Sequence, residues 1–213
     1  MQQLRFDQIK RILCVGAHSD DIEIGCGGTL RTFLRHYPDL QVQWVVFSAA
    51  GARAGEARRS AQAWLGPAAK RQILVKPFKT SFFPYDGARI KAGFEALKSF
   101  KPDLVLTHYR DDRHQDHRVL SDLAWNTFRD HLILEYEIPK YDGDLGVPNV
   151  FVPIDDQTAH DKAEHICKHF QTQGNKHWFS EDTFLALMRL RGMECATGTK
   201  YAEAFYGRKV ILG

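Results

Sequence analysis

The sequence predicts an α/β protein: a Rossmann-like, open, mostly parallel sheet with helices on both faces. Three observations lead there. Short apolar runs alternate along the chain with longer segments of helical periodicity, the pattern of a parallel sheet with crossover helices. The first run, RILCVGA at residues 11–17, is almost continuously apolar, as a strand covered on both faces should be. No internal repeat, low-complexity segment or shift in composition interrupts the 213 residues, so one domain over 1–213 is expected.

The elements follow in order. After the strand at 11–17, Gly25, Gly27 and Gly28 lead into a helix predicted over 29–36. Residues 42–49 (VQWVVFSA) form a second strand, and a helix over about 56–65 ends at Gly66. A third strand at 72–76 precedes a helix over 88–99, where Ile90, Phe94, Leu97 and Lys98 recur at helical spacing. The fourth strand, DLVLTH at 103–108, leads through a loop to a helix over about 116–129. Strands at 132–138 and 149–154, helices near 157–171 and 181–191, and a final edge strand over 204–212 complete the list. Residues 140–148 (KYDGDLGVP) are turn-rich and suit a surface loop that could form part of a substrate lid.

Composition limits the function classes. The apolar fraction of 44% and charged fraction of 26% are those of an ordinary folded domain. A formal charge of +3 without a dense Lys/Arg block permits an anionic small molecule but does not call for nucleic acid. Cys14, Cys26, Cys167 and Cys195 form no C-x-x-C unit, which suits reduced thiols and a cytoplasmic location. No signal-peptide core and no apolar run of about 20 residues is present, so no membrane span is expected.

Two short motifs carry the chemistry. His18 and Asp21 stand just after the first strand, and His114 and His117 soon after the fourth. In the commonest doubly wound order, strands one and four are neighbours where the order reverses, and ligands bind beyond their C-termini. Two imidazoles and a carboxylate from His18, Asp21 and His117 make an open catalytic zinc set with a position left for water. A water acidified by that metal needs a base that is not itself a ligand, and Asp20 is adjacent. His114 could protonate the leaving group or hold the oxyanion. Asp116 could fix a catalytic imidazole, His114 being the first candidate. The donor set suits ferrous iron as well as zinc.

The residues also show a family likeness. AHSDDIEIGCGGTL at 17–30 resembles the A-H-P-D-D-x-E-x-G-x-G-G-T signature of the LmbE-like, or PIG-L, de-N-acetylases, and RHQDH at 113–117 resembles their H-x-D-H motif. FPYDGARI at 83–90 resembles the family's aromatic segment ending in D-G, and YAEAF at 201–205 its late tail. The resemblance implies a zinc hydrolase that removes acetyl groups from N-acetylated amino sugars such as N-acetylglucosamine conjugates. It implies His18, Asp21 and His117 as ligands, Asp20 as general base, and His114 as acid or oxyanion stabiliser. It also marks Arg53 and Asp86 as substrate-binding residues, against the plainer readings of a solvated loop arginine and a D-G turn. Ser19 departs from the family's proline, and Asp112 stands where some members place an aromatic hydroxyl, for which Tyr109 is a weak substitute. The expected partner is a small N-acetylated sugar or glycoconjugate, and a homo-oligomer stays open because members of the family assemble variously.

Two other functions fit parts of the sequence. One is a metal-dependent phosphoesterase with the same ligands. The other is a non-catalytic mononucleotide-binding module using Gly25 to Gly28, although a full G-x-G-x-x-G is missing. His165 and His169, four residues apart, read as helix-face histidines. His108, closing the fourth strand, could act as a partner behind a ligand. Trp178, Phe179 and Phe184 read as core or interface.

Overall fold

The computed structural model describes residues 3–6, 8–67 and 70–211. Seven strands form one sheet: β1 (Arg11–Gly16), β2 (Gln41–Val46), β3 (Lys70–Val75), β4 (Leu104–His108), β5 (Leu132–Tyr136), β6 (Val150–Ile154) and β7 (Tyr201–Gly207). Their order is β3-β2-β1-β4-β5-β7-β6. β1 to β5 run parallel to one another, whereas β7 runs antiparallel to both β5 and β6. The order reverses between β1 and β4, so their C-terminal ends open on a common crevice.

Alternation within each strand builds two cores. Ile12, Cys14, Trp44, Val46, Leu104 and Leu106 face one side, where they meet α1 (Asp21–His36), α2 (Ala52–Leu65), α5 (Asp156–His169) and α6 (Glu181–Cys195). Leu13, Val15, Val45, Phe47, Val105 and Ile133 face the other, where they meet α3 (Gly87–Leu97) and α4 (Gln115–Thr127). Successive strand residues point to opposite faces, so a two-sided apolar strand needs helices on both. Phe179 and Phe184 join the first core. Among the described residues no helix is long and apolar enough to cross a membrane.

Three predicted elements need correction. The first helix begins at Asp21, not Thr29, and is kinked at Cys26 (φ −147°, ψ 16°). The glycines serve close packing there: a Cβ on Gly25 would run into the Tyr136 ring, and one on Gly28 would lie 3.0 Å from Glu203 Oε1. The second helix begins at Ala52, so Arg53 occupies its first turn and not a loop. The last strand is interior: β7 covers Tyr201–Gly207 between β5 and β6, and the edge is β6. The predicted end of that strand at Leu212 lies outside the described residues.

The kink has a specific partner. Lacking helical φ/ψ at Cys26, the second half of α1 exposes amides at Gly28 and Thr29, and Glu203 of β7 accepts from both at 2.7 and 2.6 Å. The buried ammonium of Lys162 on α5 neutralises that carboxylate at 2.6 Å and donates to Ile24 O at 2.7 Å. A helix N-terminus behind a glycine turn is where a phosphate would bind. Here the protein's own carboxylate takes that position.

Candidate active site

The loop after β1 brings His18, Ser19 and Asp20 to the crevice, and α1 starts at once with Asp21. Across the crevice, the turn after β4 leads to α4, whose N-cap is His114. The Asp116 N–H donates to His114 Nδ1 at 3.2 Å. A backbone amide can only donate, so Nδ1 must accept, and the proton of the neutral ring resides on Nε2.

The same rule assigns the other two rings. His18 Nε2 lies 3.1 Å from Asp116 Oδ2, and His117 Nδ1 lies 2.9 Å from Asp112 Oδ2. Ionised carboxylates accept only, so those nitrogens carry protons, and His18 Nδ1 and His117 Nε2 are the ring atoms left to face a cation. These two atoms are 3.2 Å apart, and Asp21 Oδ2 lies 3.4 Å from the first and 3.6 Å from the second. Three potential donor atoms thus face one another. Four ligands at zinc distances have tetrahedral edges of about 3.3–3.6 Å. The donor set and its spacing therefore fit a tetrahedral cation, with the carboxylate–imidazole pairing typical of metal sites.

The electrostatics agree. Burial pulls the His18 imidazole down, but the Asp21 charge and the Asp116 hydrogen bond outweigh it and push the pKa up to about 10, so near neutral pH Nδ1 also carries a proton, which a bound cation would displace. The triangle favours a positive charge. Burial and the neighbouring His108 take His117 down to about 3, so this ring stays neutral. Burial would raise Asp21, yet His117, His108 and His18 hold it well below the usual carboxylate range.

Asp20 differs from its neighbour. It is only 5% exposed, and its side chain makes no capping bond although it stands at the N-cap of α1. Burial and the adjacent Asp21 charge push it up to about 6, against the pull of His18 and Arg53. A carboxylate with that pKa and no strong partner suits proton transfer near neutral pH. Arg53, in the first turn of α2, lies close enough to act on Asp20.

Asp116 corrects an expectation. Its carboxylate serves His18, not His114, and also accepts from Ser81 N at 2.6 Å and Phe83 N at 3.2 Å. Only its main-chain N–H meets His114. Ser81 holds a left-handed conformation (φ 66°), unusual for a side-chain-bearing residue, with its carbonyl bonded by Gln115. Asp86 closes the short 3-10 turn Phe83–Tyr85 and pairs with Arg89 at 3.0 Å, outside the metal triangle.

Sequence reasoning missed Asp112 and Lys140. Asp112 Oδ1 accepts from His114 N at 2.8 Å, while Oδ2 accepts from His117 and from Lys140 at 2.9 Å. The visible signal was a carboxylate two residues before one histidine and five before another. His108 is buried and stacks on His117 at 3.9 Å between ring centroids, and its Nε2 accepts from Ala17 N at 2.9 Å. It supports the His117 ring from behind. Burial and His18 lower His114, keeping it neutral and able to donate through Nε2.

Solved structures share the fold. N,N'-diacetylchitobiose deacetylase from Pyrococcus horikoshii, complexed with its inhibitor MPG, is 21% identical, with 95% of this chain and 85% of that chain covered at a TM-score of 0.73. GalB, the 4-carboxy-2-hydroxymuconate hydratase from Pseudomonas putida KT2440, is 16% identical, with 96% and 98% covered and a TM-score of 0.72. The zinc-inhibited form of teicoplanin deacetylase Orf2 is 14% identical, with 93% and 97% covered and a TM-score of 0.71. A family model described as PIG-L, GlcNAc-PI de-N-acetylase, matches residues 13–128, which hold both motifs and make up more than half of the sequence, and the chain belongs to this family.

Proposed function

We propose that this protein is a metal-dependent amidohydrolase that removes the acetyl group from an N-acetylated amino sugar or sugar conjugate. The observation that carries the reading is the convergence of His18 Nδ1, Asp21 Oδ2 and His117 Nε2, each turned inward by a partner on its far side or by the start of α1. Zinc, or ferrous iron, held there would polarise the amide carbonyl and acidify a water.

The chain's own groups do the rest. Asp20 takes the proton of the attacking water. His114, with its Nε2–H free, donates a hydrogen bond to the developing oxyanion, and the proton held by Asp20 passes to the departing nitrogen. Asp116 and Asp112 hold the two ligand rings in their tautomers. Arg53 and Asp86 are proposed to hold the substrate, Arg53 from the first turn of α2 and Asp86 from the turn after β3. The products are acetate and a free amine. A cytoplasmic location and a single catalytic domain belong to the same reading.

A hydratase on this fold supports a second reading, in which the same base directs water to a carbon–carbon double bond. A phosphoesterase would use the same metal ligands. The nucleotide-binding module loses its support, because Glu203 occupies the Gly28 and Thr29 amides. One experiment separates the rest: metal analysis of the purified protein, with acetate, phosphate and hydration assays over N-acetylated sugars and glycoconjugates, sugar phosphates and unsaturated acids. Metal-dependent acetate release is the expected outcome. Stoichiometric metal with hydration or phosphate release alone would overturn the deacetylase assignment.

A further inference from the structure

Lys140 connects the turn-rich segment after β5 to the metal triangle. Its ammonium has three protons and three accepting groups: Asp112 Oδ2 at 2.9 Å, the Asp144 carboxylate at 2.7 Å (Oδ1) and 2.6 Å (Oδ2), and Ile138 O at 3.3 Å. Asp144 Oδ2 accepts in turn from Arg113 N at 2.6 Å, in the turn that leads to His114. Further along, Gly146 donates to Tyr206 OH at 2.9 Å, and its carbonyl accepts from Arg191 at 3.3 Å. The segment is therefore tied down at Lys140, Asp144 and Gly146, although Tyr141 within it and Val147 just after Gly146 are 70% and 90% exposed.

Asp112 is the junction. It is 2% exposed, so its charge has no water to stabilise it. Oδ2 is shared between His117 Nδ1 and Lys140 Nζ, while Oδ1 holds the His114 amide. Without Lys140, the carboxylate would lose its only cationic side-chain partner among the described residues and would be free to turn away from His117. The ring of His117 would then lose the contact that aims Nε2 into the triangle.

We propose that Lys140 is a positioning residue that couples the 140–148 segment to metal affinity through Asp112 and His117. The proposal rests on the metal-site reading above. Coupling of this kind is reciprocal: if the anchored segment strengthens metal binding, metal binding must stabilise the anchored segment by the same factor. A side chain with a merely structural role would not give the second effect.

The test uses the full chain and zinc as the probe. Zinc affinity is measured by chelator competition for wild type, Lys140→Met, Lys140→Arg and Asp144→Asn, and amide exchange over 140–148 is followed with and without zinc. Loss of a partner behind a metal ligand weakens binding about 10–100-fold, and Lys140→Met is expected at the lower end of that range. Lys140→Arg should recover most of the affinity, and zinc should slow exchange at 140–148 in wild type but not in Lys140→Met. Unchanged affinity in a folded Lys140→Met, or no zinc effect on wild-type exchange, overturns the proposal. Should Lys140→Met not fold, Asp144→Asn reads the coupling from the segment's side, with weaker zinc binding expected and equal binding fatal to the idea. A folded wild type that binds no zinc at all overturns the metal reading itself, and the coupling with it.

Discussion

Asp116 Oδ2 lies 3.1 Å from His18 Nε2, although 98 residues separate them in sequence. The carboxylate makes the proton reside on Nε2 and frees Nδ1 for the metal triangle. Two backbone amides, from Ser81 and Phe83, hold it in place. Asp116→Ala should therefore weaken metal binding about 10–100-fold while leaving the number of sites at one. Chelator competition would measure this, and Asp116→Asn, which can still accept, should lie between the variant and wild type. An Asp116→Ala protein with wild-type metal affinity but low activity would instead place Asp116 in proton transfer.

Asp20 should behave in the opposite way. It contributes no lone pair to the triangle, so Asp20→Asn should keep full metal occupancy. Turnover should fall about a hundred- to ten-thousand-fold, the usual contribution of a positioned general base. Burial and Asp21 push the Asp20 carboxyl up to about 6. A cation in the triangle adds positive charge nearby and favours the carboxylate. The acid limb of kcat/KM should thus lie at or below about pH 6. A limb well above neutrality, or one that persists in Asp20→Asn, would point to another base.

The layers of the fold were legible because the strands are apolar on both faces: Ile12 and Cys14 serve one core, Leu13 and Val15 the other. The candidate metal donors were legible because each motif pairs two such side chains three residues apart within one stretch of chain. The start of α1 was not, since glycines that permit close approach to Tyr136 and Glu203 look the same in sequence as glycines that make a turn. Nor was the placement of β7, because an apolar run does not say which strands it will lie between or in which direction. The partners of the ligands were hidden for a related reason. Asp116 meets His18 across the crevice, and Lys140 reaches Asp112 from a segment read as a surface loop and part of a lid, not as a support of the site.

The carboxylate of Glu203 gives an ordered stability prediction. Removing one partner of a buried ion pair leaves the other charge uncompensated, typically at about 3–5 kcal/mol. Glu203→Ala strands both the Lys162 ammonium and the Gly28 and Thr29 amides, so it should fall in that range. Lys162→Met leaves the carboxylate on two amides at a helix N-terminus, a setting that favours negative charge, and should cost less. Denaturant unfolding of both variants would decide. If Lys162→Met proved the more damaging, the ion pair and not the amides would dominate at this junction.

His165 gives a pH prediction away from the metal site. Its Nε2 lies 2.9 Å from Ser60 Oγ, which also bonds the buried carboxylate of Glu23, and its ring stacks on His169 at 3.9 Å between centroids. Burial, then the neighbouring His169 and Arg31, takes its pKa from 6.5 down to about 3. Above 6.5 the ring is neutral whether the chain is folded or not, so it contributes no pH dependence there. As pH falls below 6.5 the unfolded chain takes up a proton that folded His165 refuses, and stability is lost until the pH nears 3. His165→Gln has nothing to protonate. Denaturation midpoints for variant and wild type should therefore run parallel above pH 7 and separate below about 6.5, with the variant losing stability more slowly on acidification. Parallel curves down to pH 4 would show that the folded protein protonates His165 as readily as the unfolded chain does.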